Sequence, residues 1–170
     1  MQTREDVAQA LQEAAAIIAA EADPRLVPEG GIRMGYALHG ATTPNDVCAV
    51  DNTSAHVRFG TDAGVARLLL TIIRHEGCLR SAAAVRCTTE ILRCITDDLA
   101  LDGAPYPDAP PGTGTMDWGV ESCCRDGVPD AIYGQKTDKK DLILWIIAEN
   151  PANIARNIIM LSGCISYTSL

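Results

Sequence analysis

The feature that most constrains the fold of this chain is the alternation of short apolar segments with segments of helical periodicity. Thr3 and Asp6 have the spacing of a capping box, and apolar residues recur at helical intervals from there to about residue 22. Residues 32–38 and 46–50 read instead as short strands with a turn between them. Because helical and extended patterns keep alternating along the chain, the sequence predicts an α/β fold.

The rest of the chain continues this alternation. Helices are predicted over residues 61–76, 89–99, 115–126 and 150–161, and strands over residues 82–87, 130–133 and 142–147. The stretch 102–114 is rich in proline and glycine, and we expect it to cross the surface without regular structure. No repeat or linker divides the pattern, so we expect one domain over residues 1–170.

Composition and charge argue against several classes of function. The net charge is −8 and no stripe of Lys and Arg is present, so a nucleic-acid partner is not expected. Even the longest apolar runs, such as Leu142–Ala148, are far too short to span a bilayer, so no membrane role is expected. Seven cysteines without a signal peptide favour thiols in a reducing compartment, and the sequence therefore predicts a cytoplasmic location.

Several short motifs are more informative by their order than singly. They lie at residues 28–31, 34–38, 43–47, 59–60, 80–82, 85–86, 114–121, 129–133, 140 and 150–151. The most distinctive is Thr-Met-Asp-Trp-Gly-Val-Glu at residues 115–121. In this order the motifs resemble the archaeal-type thiamine-phosphate synthase family, the ThiN domain, over about residues 5–162.

The resemblance implies a fold and a reaction. The fold would be a three-layer α/β/α sandwich around a mixed, largely antiparallel sheet. The reaction would be that of a transferase in thiamine biosynthesis, which joins hydroxymethylpyrimidine diphosphate to thiazole phosphate and gives thiamine phosphate and diphosphate. The implied partners are phosphorylated pyrimidine and thiazole ligands. No cofactor is firmly implied, although Mg²⁺ could accompany the diphosphate substrate. The protein could be a homodimer or a monomer.

The resemblance also indicates which residues would bind phosphate. Gly60 and Thr61 lead into a predicted helix, whose N-terminus favours an anion. Asp62 should weaken that preference by like-charge repulsion, and the alternative is that Thr61 and Asp62 only cap the helix. Arg80 and Arg86 flank an apolar strand, and a guanidinium entering such a strand needs an anion or a carboxylate. Lys140 matches a family lysine at the end of a glycine-rich loop, although most of the glycines are missing here and a solvated turn is the alternative. We predict that Arg86 and Lys140 converge on one phosphate or diphosphate.

The motif at residues 115–121 supplies further candidates. Trp118 could stack on a flat heterocycle, although packing against the protein is the alternative. Asp117 and Glu121 lie four residues apart and would share one helix face, where they could hold Mg²⁺ or the pyrimidine amine. A solvated acidic face is the alternative for this pair.

Two departures from the family pattern bear on catalysis. The family has a histidine where Gly64 stands, and it has an arginine-bearing hairpin that is shortened here. His56 and Arg58 alternate onto one face of a strand and are the candidate substitutes for the catalytic residues. If they do not substitute, the chain would bind or sense thiamine phosphate without turnover, or would be a structural subunit that keeps the fold without the pocket.

The cysteines allow two other interpretations. His75, Cys78, Cys123 and Cys124 could form a four-ligand zinc site, although no Cys-x-x-Cys pair is present. Cys87, Cys94 and Cys164 have apolar neighbours, where cysteine acts as a small hydrophobic residue. Cys48 could form a nucleophilic pair with His39 or His56, but no local feature indicates an activating site. We therefore expect no metal site in the chain.

Overall fold

The structure, a computed structural model, describes residues 2–51, 56–108, 116–136 and 142–168. In these residues the strands are β1 (Arg33–Ala37), β2 (Val47–Asp51), β3 (His56–Phe59), β4 (Ser81–Arg86), β5 (Gly103–Pro105), β6 (Ala131–Lys136) and β7 (Leu142–Ala148). They form one sheet in the order β3-β2-β1-β4-β7-β6-β5. The β5–β6 pair is parallel and the other neighbours are antiparallel. The predicted mixed, largely antiparallel sheet is confirmed.

Helices cover both faces of the sheet. They are α1 (Arg4–Glu21), α2 (Ala63–His75), α3 (Thr89–Arg93), a π-helix (Cys94–Asp98), α4 (Trp118–Cys123) and α5 (Pro151–Thr168). Helices α1, α3 and α5, with the π-helix, pack on one face, and α2 and α4 pack on the other. This arrangement confirms the three-layer α/β/α sandwich.

The first helix begins at the capping box that the sequence predicts. The backbone N–H of Asp6 donates to Thr3 Oγ1 at 3.1 Å, and the N–H of Thr3 donates to Asp6 Oδ2 at 2.8 Å. Each hydrogen bond satisfies an N–H group that has no partner inside the helix. The helix ends at Glu21, and the chain then turns through Asp23 and Pro24 as predicted.

Three predicted elements are wrong in extent. The last helix, predicted over residues 150–161, continues to Thr168. Residues 103–105 do not lie in an irregular loop, because they pair in parallel with β6 at the edge of the sheet. Pro105 stands at the end of this short strand, where its missing N–H breaks no further ladder hydrogen bond. In the described part of the stretch 115–126, the predicted helix is limited to α4, which begins after the N-cap Asp117 and ends at Cys123.

Gly35 allows α2 to lie directly on β1. A Cβ built on this glycine would collide with the side chain of Val65 in the first turns of α2. Only glycine permits so close an approach between the helix and the strand. The N-terminus of α2 is therefore held over the start of β1, where the candidate site lies.

Among the helices of the described residues, none has both the length and the apolar composition of a transmembrane span.

Candidate functional site

Five side chains gather on the α2 face of the sheet, where α2 begins. We call them the arginine site: Arg33, Asp62, Arg86, Gln135 and Trp145. The strand register explains why four of them share this face. Arg33 pairs with Ala84, Ala84 pairs with Trp145, and Arg86 and Gln135 both pair with Ile143. Residues directly opposite one another in a sheet, and residues two apart on one strand, lie on the same face. Asp62 joins them from the N-cap of α2.

Arg33 and Asp62 form a two-pronged ion pair at the centre of this group. Arg33 Nε donates to Asp62 Oδ2 at 3.1 Å, and Nη2 donates to Oδ1 at 2.6 Å. The Arg33 side chain is 39% exposed and that of Asp62 is 20% exposed. Gly64 lies beside the pair, and a Cβ built there would stand 2.5 Å from Arg33 Nη2. The guanidinium therefore occupies the space that a side chain at position 64 would need.

The ionisation of Asp62 depends on these contacts. Burial alone would raise the pKa of Asp62, but hydrogen bonds and charge attraction from Arg33, with the N–H groups of Val65 and Gly64, hold the pKa below its usual value. Asp62 is thus a stable carboxylate that both caps α2 and orients Arg33. Since N–H groups in the first turn of α2 donate to the Asp62 carboxylate, they are not available to bind an external anion.

A β-bulge places Gln135 at the site. The register between β6 and β7 shifts between Tyr133 and Gln135, and Gly134 takes a positive φ of 88° there. The extra residue brings Gln135 onto the α2 face, where its Oε1 accepts from Trp145 Nε1 at 2.7 Å. The guanidinium of Arg33 lies 5.6 Å from the centre of the Trp145 ring, within the range of a cation–π contact.

Arg86 ends the central strand β4 and enters this site. Its Nε atom is buried and makes no hydrogen bond to the described residues. A buried guanidinium N–H without an acceptor is costly, so the position favours an acceptor that arrives from outside these contacts. The group also carries a net positive charge, because it contains two guanidinium groups, those of Arg33 and Arg86, and one carboxylate, that of Asp62. The arginine site can therefore hold an anion.

Arg80 lies outside the arginine site, at the other end of β4. It precedes β4 while Arg86 ends it, so the strand separates them by about 20 Å at roughly 3.3 Å per residue. Arg80 donates from Nη1 to Ala37 O and Gln2 Oε1, both at 2.9 Å, and from Nη2 to the Tyr36 hydroxyl at 3.0 Å. These contacts fix the N-terminal segment against the sheet.

The predicted catalytic pair lies at an edge. His56 and Arg58 are both exposed on β3 and share a face, as their alternation predicts. Gly60 follows with a φ of 76° and packs against Asn45, which explains glycine at this position. The Thr61 hydroxyl donates to Arg58 O at 3.4 Å, and Asp62, not Thr61, caps α2.

Asp117 is buried and forms hydrogen bonds with other groups of the protein. Its Oδ1 accepts from the Tyr106 hydroxyl at 3.0 Å and from the N–H of Val120 at 3.1 Å, and its own N–H donates to Thr71 Oγ1 at 2.8 Å. Burial and the Asp117 carboxylate raise the pKa of Tyr106 above its usual value. Trp118 next to it is 49% exposed.

Glu121 and the alternative zinc ligands contact other groups. His75 Nε2 lies 2.7 Å from Glu121 Oε2, Cys78 donates to Glu76, and Cys123 donates to Pro105 O. These histidine and cysteine side chains do not form a cluster with the spacing of a metal site. Burial raises the pKa of Cys48 to about 11, which disfavours a thiolate nucleophile.

Lys140 lies outside the described residues, so its predicted meeting with Arg86 stays a prediction. Its flanking strands do lead to the site. β6 ends at Lys136 and β7 begins at Leu142, and the N–H of Cys87 donates to Leu142 O at 3.0 Å directly after Arg86.

Sequence reasoning missed Arg33, Gln135 and Trp145 as members of the site. The signal for Arg33 was present, because it is a charged residue at the start of an apolar strand, as Arg86 is at the end of one. Their proximity depends on the order β1-β4-β7-β6, which no local pattern encodes.

Comparisons with known proteins agree on the family and the fold. The model of the family described as thiamine-phosphate synthase ThiN matches residues 10–160. The crystal structure of the C-terminal domain of protein MJ0236 has a TM-score of 0.83 at 18% identity and covers 99% of both chains. That of the C-terminal domain of phosphomethylpyrimidine kinase has a TM-score of 0.82 at 24% identity and covers 94% of this chain and 100% of the other.

A more distant likeness extends to another class of protein. L-fuculose-1-phosphate aldolase from Thermus thermophilus has a TM-score of 0.53 at 10% identity, over 97% of this chain and 93% of the other. At such identities the structural likeness supports the fold alone. The comparison with curated sequences gives no match.

Proposed function

The chain belongs to the thiamine-phosphate synthase ThiN family, and we propose that it joins hydroxymethylpyrimidine diphosphate to thiazole phosphate at the arginine site. The observation that carries the proposal is Arg86, a guanidinium at the end of a central strand whose buried Nε makes no hydrogen bond to the described residues. A phosphate oxygen supplies the acceptor that this N–H needs, and two N–H groups of one guanidinium match the spacing of phosphate oxygens.

The reaction asks the protein to hold two anions and to stabilise a leaving group. The bond between the pyrimidine methylene carbon and the diphosphate oxygen breaks, and its electron pair leaves with the diphosphate. The thiazole nitrogen gives its lone pair to the same carbon, which forms the thiazolium of thiamine phosphate. Arg86 and Lys140 would neutralise the developing charge on the diphosphate, and holding both substrates in line supplies much of the remaining acceleration.

Mg²⁺ could share the diphosphate. Asp62 is the carboxylate of the arginine site that could coordinate Mg²⁺, but its oxygens already accept hydrogen bonds from Arg33. Asp117 accepts from Tyr106 and Val120 instead. A metal would therefore arrive with the diphosphate and not be held by a dedicated cage.

Synthase activity is tested by mixing the two substrates with the purified chain, with and without Mg²⁺, and measuring thiamine phosphate. We expect turnover well below the order of 1 per second that is typical of competent enzymes, because Gly64 stands where the family has a histidine. Product at no more than the enzyme-free rate would refute the catalytic proposal and leave the binding proposal to be judged separately.

Binding is tested by thermal shift with thiamine phosphate, the two precursors and thiamine without phosphate. Selective binding to the native state must raise its melting temperature. Replacing Arg86 or Lys140 with Ala should weaken binding of the phosphate esters by roughly 1.5–3 kcal/mol, the range of a charged hydrogen bond. Arg93→Ala is the matched control, since α3 lies on the opposite face of the sheet.

Two outcomes would refute the binding proposal. One is the absence of selective stabilisation at millimolar ligand. The other is an equal loss of binding for thiamine and for thiamine phosphate in Arg86→Ala, because a phosphate ligand must discriminate between them.

A second candidate function is a domain that binds or senses thiamine phosphate without turnover. The specific observation that favours it is the Arg33 guanidinium beside Gly64, held there by Asp62. This ion pair occupies the place where the family histidine would project. Saturable binding of thiamine phosphate together with no product would establish this alternative.

The remaining partners stay predictions. We propose small phosphorylated ligands as the partners, with no nucleic acid and no membrane, and either a monomer or a homodimer. The cytoplasmic location is a prediction from the cysteines.

A further inference from the structure

A second group of reactive side chains lies on the opposite face of the sheet from the arginine site. Cys94 and Asp98 belong to the π-helix, and Cys164 belongs to α5. One ligand atom from each side chain lies within 4.8 Å of the other two. In the described residues this is the one group of three such side chains that meets this spacing.

The π-helix presents two of the three side chains to α5. The N–H of Leu99 donates to Cys94 O at 2.9 Å, a bond across five residues that widens the turn. Such turns are rare and often occur at functional sites. Cys94 is buried, Asp98 is exposed and Cys164 is half-buried, so the group opens to solvent on the Asp98 side.

The contact between Cys164 and Asp98 goes beyond apolar packing. Cys164 Sγ donates to Asp98 Oδ2 at 2.9 Å. A cysteine that serves only as a small hydrophobic residue does not need a carboxylate at its sulfur atom. Two thiols and a carboxylate are, however, a donor set that a borderline-soft divalent cation prefers.

We propose that Cys94, Asp98 and Cys164 bind one divalent cation of the zinc class, which links the π-helix to α5. With metal–sulfur bonds of about 2.3 Å, two sulfur ligands of a tetrahedral ion lie about 3.8 Å apart. The spacing of at most 4.8 Å reaches this value by small side-chain rotations. Each thiol gives up its proton when it coordinates the ion. Water completes the coordination from the open side, since three protein ligands leave one position.

The test uses the full reduced chain, stripped of metal with a chelator, and Cd²⁺ as a spectroscopic probe. We expect an ultraviolet thiolate-to-cadmium charge-transfer band that saturates at one ion per chain and is displaced by Zn²⁺. Zn²⁺ should also raise the melting temperature, because the native arrangement of the three ligands should bind it more tightly than the unfolded chain does.

Variants assign the band to this group. Cys94→Ser with Cys164→Ser should abolish it, and Cys78→Ser with Cys123→Ser is the matched control that should leave it unchanged. Asp98→Asn changes an exposed side chain without threatening the fold, and it should weaken Cd²⁺ binding by at least about tenfold, since even contacts around a ligand contribute that much.

The proposal is overturned if saturating Cd²⁺ gives no charge-transfer band. It is also overturned if the band survives the Cys94 and Cys164 substitutions, is lost in the control, or has the same affinity in Asp98→Asn. None of these outcomes depends on the ligand of the arginine site.

Discussion

The tight fit between Gly64 and Arg33 gives a sharp test of the candidate site. Gly64 is the second residue of α2 and its φ lies outside the left-handed region, so alanine can adopt its backbone conformation. The new Cβ would stand 2.5 Å from Arg33 Nη2, and the guanidinium must move away from Asp62. The effect of Gly64→Ala should therefore depend on whether Arg33 is present.

Two opposing contributions set the effect of Gly64→Ala on the free energy of unfolding. Alanine favours a helix over glycine by roughly 0.5–1 kcal/mol. Displacing Arg33 costs about 0.2–1 kcal/mol, because an ion pair whose arginine is 39% exposed is screened by solvent. In the unsubstituted background the two contributions oppose each other, so we expect Gly64→Ala to change the free energy of unfolding by less than about 1 kcal/mol. In the Arg33→Ala background only the helix contribution remains, so Gly64→Ala should stabilise the chain by about 0.5–1 kcal/mol.

The assay is a double-mutant cycle measured by urea denaturation with circular dichroism. Midpoints are compared at a constant m-value, which limits the error of extrapolation. We expect an interaction energy between positions 33 and 64 of about 0.2–1 kcal/mol, the cost of displacing Arg33, because the helix contribution is the same in both backgrounds. Equal stabilisation by Gly64→Ala in both backgrounds would refute the placement of Arg33 over Gly64.

Three other predictions follow from the same contacts. The folded-state pKa of Asp62 is lowered, so its stabilising effect is complete above the unfolded-state pKa of about 4 and is lost as the pH falls through the folded-state pKa. In urea titrations, the difference in the free energy of unfolding between the unsubstituted chain and Asp62→Asn should therefore shrink on acidification. Asp117→Ala should lower the free energy of unfolding by about 1–2 kcal/mol and Asp117→Asn by less, since asparagine can still cap α4, whereas the exposed control Asp126→Ala should have little effect; equal losses in the two Asp117 variants would contradict the capping role. Gly64→His combined with Arg33→Ala should raise thiamine-phosphate turnover above that of either single variant, and unchanged turnover would count against position 64 as the missing catalytic position.

The sequence predicts the elements of this fold better than it predicts their meeting points. Thr3 and Asp6 identify the start of α1 because a capping box acts within one turn. The strand at residues 103–105 is missed because its existence depends on an open edge of β6, not on its own composition. Arg33 and Trp145 are missed as partners for a related reason, since they meet only through the pairing of β1, β4 and β7. Cys94 and Cys164 likewise meet only when α5 packs against the π-helix.

Asp62 decides how an anion can be held at the arginine site. A helix N-terminus normally attracts phosphate through its N–H groups and its partial positive charge. Here the first turn of α2 already donates to the Asp62 carboxylate, whose negative charge would also repel a phosphate placed there. A phosphate must then be bound by side chains on the strands, and Arg86 projects from the end of β4 with a buried donor to offer. The affinity of this chain for phosphate esters should accordingly depend more on Arg86 than on the helix, and removing the Asp62 carboxylate should strengthen their binding while it weakens the fold.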